Sequence, residues 1–182
     1  LITGGDPGGR PPIPHQSQFK GEDFLPAPEV ERIAKAMIAE LPEFEHLQEW
    51  RIRYAWKREG GKKLGKLTLG TCTKTGGLIR FFGECDFVVA ISADNCFALT
   101  NWDLEVLIYH ELCHAGSKDT EEKDAEGEPI FVPVLLPHDV EEFSSVVRRY
   151  GPWKPELREL GTAYDQAPLF DDEPVQMRRR AS

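Results

Sequence analysis

Val30, Ile33, Ala34, Met37, Ile38 and Leu41 recur at three- and four-residue spacing with charged neighbours between them. That period predicts an amphipathic helix over residues 28–41, stopped by Pro42. The period then changes to two. Residues 50–56 (Trp-Arg-Ile-Arg-Tyr-Ala-Trp) alternate as a strand does, and the Gly60-Gly61 pair after them reads as a turn. Residues 64–73, 78–82 and 86–91 are further short strand-like runs punctuated by Gly70, Gly76-Gly77 and Gly83. Together they predict a small, mainly antiparallel sheet. Helical spacing returns over residues 101–116, with Leu104, Leu107, Ile108 and Leu112 on one face, Thr100 or Asn101 as N-cap and Gly116 as the stop. Residues 117–128 are polar and acidic enough for a loop, 130–136 are apolar and extended, and another helix is predicted over 139–150. Helices flanking a small sheet make the fold class α+β.

The chain ends read differently. Residues 1–27 are rich in Gly and Pro and are expected to form a flexible arm. From residue 161 apolar periodicity fades, and the run Asp171-Asp172-Glu173 gives way to Arg178-Arg179-Arg180, so residues 161–182 are expected to be a mobile charged tail. One folded domain over 28–160 suits a length of 182 residues. Acidic residues outnumber basic ones 31 to 22, for a net charge of -9, and a field of that sign disfavours nucleic acid. Cys72, Cys85, Cys96 and Cys113 contain no Cys-x-x-Cys pair, so a zinc ribbon or thioredoxin-type site is not indicated, and reduced, mostly buried thiols are expected. No run is long enough to span a membrane and no secretory leader is recognisable, so a cytoplasmic protein is expected.

The chemistry concentrates in His110-Glu111-Leu112-Cys113-His114. Two His four positions apart on a helix project from the same face and can reach one metal ion. Glu111 then sits where it can take a proton from a metal-activated water attacking a carbonyl. Three fixed positions are also met by chance on ordinary helices. The flanks strengthen the reading, because Val106, Leu107, Ile108, Tyr109, Leu112, Cys113, Ala115 and Gly116 are all uncharged, as in a helix buried except for its ligands.

A catalytic zinc takes three protein ligands and keeps one position for water, so a third donor is expected elsewhere. His15 lies in the Pro-rich arm and His46 just past the first helix, which leaves His138 as the one other His downstream of the motif. Glu141 and Glu142 are alternatives, since a His2Glu site is chemically as good. Glu142 or Asp139 could instead accept a hydrogen bond from a ligand imidazole. Tyr109, Arg148 and Tyr150 are candidates for stabilising an oxyanion, and the strand at 86–91 for pairing with an extended peptide.

Residues 50–56, 86–91, 107–115 (Leu-Ile-Tyr-His-Glu-Leu-Cys-His-Ala) and 137–143 (Pro-His-Asp-Val-Glu-Glu-Phe) together resemble the phage metallopeptidase family, a zincin-like group related in pattern to SprT-like metallopeptidases. The resemblance spans about residues 28–152. It implies a zincin-like fold, in which the motif helix packs on a short sheet and a downstream helix start gives the third ligand. In SprT-like chains that ligand is a His followed by Gly and then an aromatic residue, which maps onto His138 and Phe143, with Asp139 in place of the Gly. The zinc-ribbon cysteines of many SprT-like chains are absent. The expected function is zinc-dependent hydrolysis of a peptide or protein substrate, with one zinc on His110, His114 and His138 and Glu111 as general base, in the host-cell cytosol if the chain is phage- or prophage-encoded. Two rival expectations are a catalytically silent zinc protein that binds a host or phage partner, and a SprT-like DNA-associated protease tethered by Arg178 to Arg180.

Overall fold

The computed structural model describes residues 4–63, 65–140, 147, 151–152 and 154–167. The chain divides into two compact units, residues 1–136 and 137–182.

The first unit is built on a four-stranded sheet. Its strands are β1 (Phe24–Pro26), β2 (Ile52–Lys57), β5 (Gly70–Lys74) and β6 (Phe87–Ser92), in the order β1-β2-β6-β5. β1 pairs antiparallel with β2 and β5 antiparallel with β6, but β2 and β6 run parallel, with Tyr54 opposite Val89 and Trp56 opposite Ile91. The sheet is therefore mixed, which corrects the mainly antiparallel expectation. A parallel neighbour needs a long crossover, and residues 58–86 supply it. They hold the small ribbon β3 (Lys62–Lys63) with β4 (Lys66–Leu67), then β5, then the short helix α2 (Gly77–Gly83).

β6 is central. Five of its six residues are buried, and it reads as a continuous apolar run rather than an alternating one because both of its faces are covered. Against the sheet pack α1 (Pro28–Glu40), through Val30, Ile33, Ala34 and Met37, and α3 (Asn101–Cys113), through Leu104, Ile108 and Leu112. The 3-10 helix Pro42–Glu49 adds Phe44 and Leu47 to the same core. α1 begins on Pro28, whose missing N–H is no loss in a first turn, and ends before Pro42 as the spacing predicts.

Four segments depart from the sequence reading. Residues 78–82, read as a strand, form α2, and none of its residues is buried. Residues 117–128, read as a loop, carry most of β7 (Ala115–Lys123), which pairs with β8 (Pro129–Leu135) in a separate hairpin; cross-strand pairing overrides the polar composition of β7. β8 passes close to β5, with no ladder between them among the described residues. The arm at 1–27 also contributes structure, since Phe19 is fully buried in the core and β1 forms one edge of the sheet. In the second unit, α4 (Pro155–Gln166) carries helix past residue 161, where periodicity had faded. The predicted helix at 139–150 and the tail at 168–182 lie almost wholly outside the described residues. Among those residues, no helix is long and apolar enough to cross a membrane.

Candidate metal centre

α3 is held at both ends by local chemistry. Thr100 is the N-cap: its Oγ1 accepts the Asp103 N–H at 3.1 Å, while the Asp103 carboxylate accepts the Thr100 N–H at 3.1 Å. This reciprocal box satisfies two donors that the first turn leaves without helical partners. At the other end His114 is the C-cap rather than part of a longer helix reaching Gly116. The Leu136 N–H captures the His114 carbonyl at 2.9 Å, and Ala115 enters the β7 ladder opposite Leu135. Gly116 permits this join, since a Cβ there would lie 2.7 Å from Leu136 Cγ. His46 helps as well, with Nε2 3.1 Å from the Ala115 carbonyl oxygen.

The motif histidines share a face. Their ring centroids are 5.0 Å apart and the rings nearly perpendicular. His114 Nδ1 lies 2.7 Å from the Leu136 carbonyl oxygen. A carbonyl only accepts, so Nδ1 carries the proton of the neutral ring and Nε2 is the unprotonated nitrogen, the tautomer a metal ligand requires. One ligand atom from each of His110, His114 and His138 lies within 4.8 Å of the others. Chain connectivity gives a reason for this: His138 is two residues beyond Leu136, a span of about 7 Å at most, and Leu136 is bonded to His114 through both its N–H and its carbonyl. Three imidazoles so placed suit zinc and other borderline divalent cations.

Glu111 is 4 % exposed, and the surrounding groups set its position. Burial pushes its carboxyl above the ordinary range, opposed by His114 and by the Cys72 backbone N–H, which faces the carboxylate. Gly70, at the start of β5, touches it: a Cβ at that position would come within 2.6 Å of Oε1 and 3.0 Å of Cδ. The same burial, reinforced by the Glu111 charge, raises the Cys72 thiol to about 12, so this cysteine stays protonated and is no nucleophile. Cys85 and Cys96 are buried and Cys113 is exposed; none of the four cysteines is in a disulfide.

The structure brings His110, Glu111, His114 and His138 to one place and sorts the other candidates. The Tyr109 hydroxyl donates to Glu43 Oε1 at 2.9 Å and its ring meets Phe44 edge-on, so it is already engaged with the 3-10 helix. Asp139 is exposed, beside His138. Glu141, Glu142, Arg148 and Tyr150 lie outside the described residues. The strand at 86–91 offers no edge, because β6 is paired on both sides and β5 is the outer strand. Sequence reasoning missed Gly70 and His46. Gly70 was read only as punctuation, and nothing in the sequence links His46 to Ala115, 69 positions away.

An α+β fold and a three-histidine cluster beside a buried glutamate define a protein with a candidate metal centre. The chain belongs to the family described as putative phage metallopeptidase, whose model matches residues 22–165. No curated protein and no solved structure matches the chain.

Proposed function

We propose that this protein is a zinc-dependent peptidase in which His110, His114 and His138 hold one zinc ion and Glu111 is the general base. The observation that carries the reading is the fixed His114 ring, its Nδ1 spent on the Leu136 carbonyl, within a cluster of three imidazole donors. Zinc held by His110, His114 and His138 would supply a Lewis acid for water and for the scissile carbonyl.

The protein's own groups do the rest. Glu111 accepts the proton of the attacking water and passes it to the leaving amine. Its burial brings its proton affinity closer to that of a working base than an exposed glutamate would have. Gly70 leaves the room that holds the carboxylate against β5. No membrane partner is required, and a cytosolic site of action fits four cysteines that form no disulfide.

The decisive variant is Glu111→Gln. It is expected to keep zinc while losing about 10²–10⁴-fold in peptide cleavage, since only the proton carrier is removed. Cleavage at the wild-type rate would refute Glu111 as the base.

A further inference from the structure

Basic residues are gathered in one segment of the chain. Residues 51–80 carry nine Lys and Arg and a single acidic residue, Glu59, whereas the other 152 residues carry 13 basic and 30 acidic ones. The whole-chain charge of -9, which by itself disfavours nucleic acid, therefore hides a cationic segment in a strongly anionic remainder. Three of the nine cations are engaged. Arg51 and Arg80, the latter from α2, bind the buried Asp86, with Arg80 Nε 2.6 Å from Oδ1, and Arg58 binds Asp23 and Glu59. The other six, Arg53, Lys57, Lys62, Lys63, Lys66 and Lys74, make no ion pair among the described residues. All but the half-buried Lys57 are exposed. Asp94, the carboxylate nearest in the fold to Gly60, is occupied as well, since its Oδ1 accepts the Gly60 and Asn95 N–H groups at 2.7 Å.

Three of the six stand together on the β3–β4 ribbon. Lys63 lies directly opposite Lys66, and Lys62 opposite Leu67. Like charges facing each other across a ladder destabilise it, and no carboxylate relieves this pair. Successive residues of a strand point to opposite faces, so Lys62 shows its charge on one face of the ribbon and Lys63 with Lys66 on the other. Lys57 ends β2 just before the ribbon, and Arg53 shares its face of that strand about 13 Å away, turned from the core face held by Tyr54 and Trp56. Lysines often guard exposed strand edges. Either sign of charge serves that purpose, however, and here one sign is collected in a chain otherwise rich in the other.

Cations on both faces of a narrow ribbon suit a cleft with anions on both walls. A membrane presents a flat surface that one face alone would meet, and the anionic remainder of the chain opposes it. The major groove of B-form DNA admits a two-stranded ribbon and has a phosphate backbone along each side, while the major groove of duplex RNA is too narrow. Lysine is a compact point charge suited to phosphate, and a phosphate contact carries no sequence information. We propose that the β3–β4 ribbon is a non-specific contact site for double-stranded DNA, holding phosphates on the two sides of a groove through Lys62, Lys63 and Lys66. The site is independent of the peptidase reading and of any tether at Arg178 to Arg180.

Salt dependence tests it. Anisotropy of a fluorescein-labelled DNA duplex of mixed sequence is titrated with the full chain between about 50 and 200 mM salt. Each phosphate neutralised contributes about 0.9 to the slope of log Kd against log salt, so wild type should show a slope of about 3 or more. Lys62→Gln/Lys63→Gln/Lys66→Gln, folded by circular dichroism, should lose about 2.7 of it, and Lys63→Gln alone about 0.9 while melting no lower than its parent. Arg178→Gln/Arg179→Gln/Arg180→Gln, which removes the same charge from the tail, should leave the slope unchanged. The proposal is overturned if the duplex does not bind at the lowest salt, if the ribbon variants keep the wild-type slope, or if the tail variant loses as much. It is also overturned if a single strand of the same sequence, or phosphatidylserine vesicles, bind at least as tightly as the duplex.

Discussion

Between residues 77 and 113 the chain makes two helices rich in Leu, Ile and aromatic side chains, and their surroundings are opposite. α3 sinks Leu104, Ile108 and Leu112 into the core and brings His110 and His114 to the surface at its end. α2 buries nothing and is held by one charged side chain. In α3 the apolar residues serve stability and place a few polar groups, so their spacing carries the helical period. In α2 they serve no core. An apolar run of that length without a buried face has no periodicity to betray its form, and it read as a strand.

This contrast can be broken from the α3 side first. Ile108 is fully buried, so Ile108→Ala should cost about 2–5 kcal/mol in a urea unfolding titration. A cost near zero would mean that α3 does not pack as described. Next comes the contact between β5 and the motif. Gly70→Ala drives a methyl into the Glu111 carboxylate and should lower kcat about a hundredfold, the scale expected when a catalytic group is misplaced by about an ångström, with KM and zinc content little changed. A change confined to KM would show that Gly70 shapes only the substrate groove.

The mooring of α2 gives a smaller, pH-dependent effect. Burial works against the Asp86 charge, but hydrogen bonds from the Arg51 side chain and backbone N–H and from Arg80 outweigh it and hold the carboxyl below its ordinary range. A depressed folded-state value means the stabilisation is fully present above the unfolded value of about 3.9 and is lost as pH falls through the lower folded one. Wild type should therefore exceed Asp86→Asn by about 1–3 kcal/mol at neutral pH, with the gap closing below about pH 4. A gap that does not depend on pH would show that the Asp86 charge is not what holds this corner.

How much the sequence disclosed follows the same division. α1, β2 and α3 were legible because each has a buried face whose period survives in the letters, β6 because its run is wholly apolar, and the cap was narrowed to Thr100 or Asn101 because capping is local. The parallel pairing of β2 with β6 was not, since adjacency across 35 positions leaves no local mark. β7 was lost because a hairpin outside the core is held by its ladder, and polar residues serve that as well as apolar ones. At the candidate site, the spacing of His110, Glu111 and His114 was legible on the helix, and the short histidine inventory singled out His138, with Glu141 and Glu142 as alternatives; a ligand atom of His138 lies within 4.8 Å of those of the motif histidines. The groups that position them were hidden. Gly70, the Leu136 carbonyl and the Cys72 N–H act through backbone or through the lack of a side chain, and a sequence does not display either.

The central claim, that three imidazoles hold one zinc ion, is tested most directly by metal stoichiometry. Protein purified with zinc and dialysed against buffer without it should retain one zinc per chain, while His110→Ala and His138→Ala, each folded by circular dichroism, should lose most of it. Zinc content near wild type in His138→Ala would remove the third ligand, and wild-type protein that retains none would contradict the account at its root.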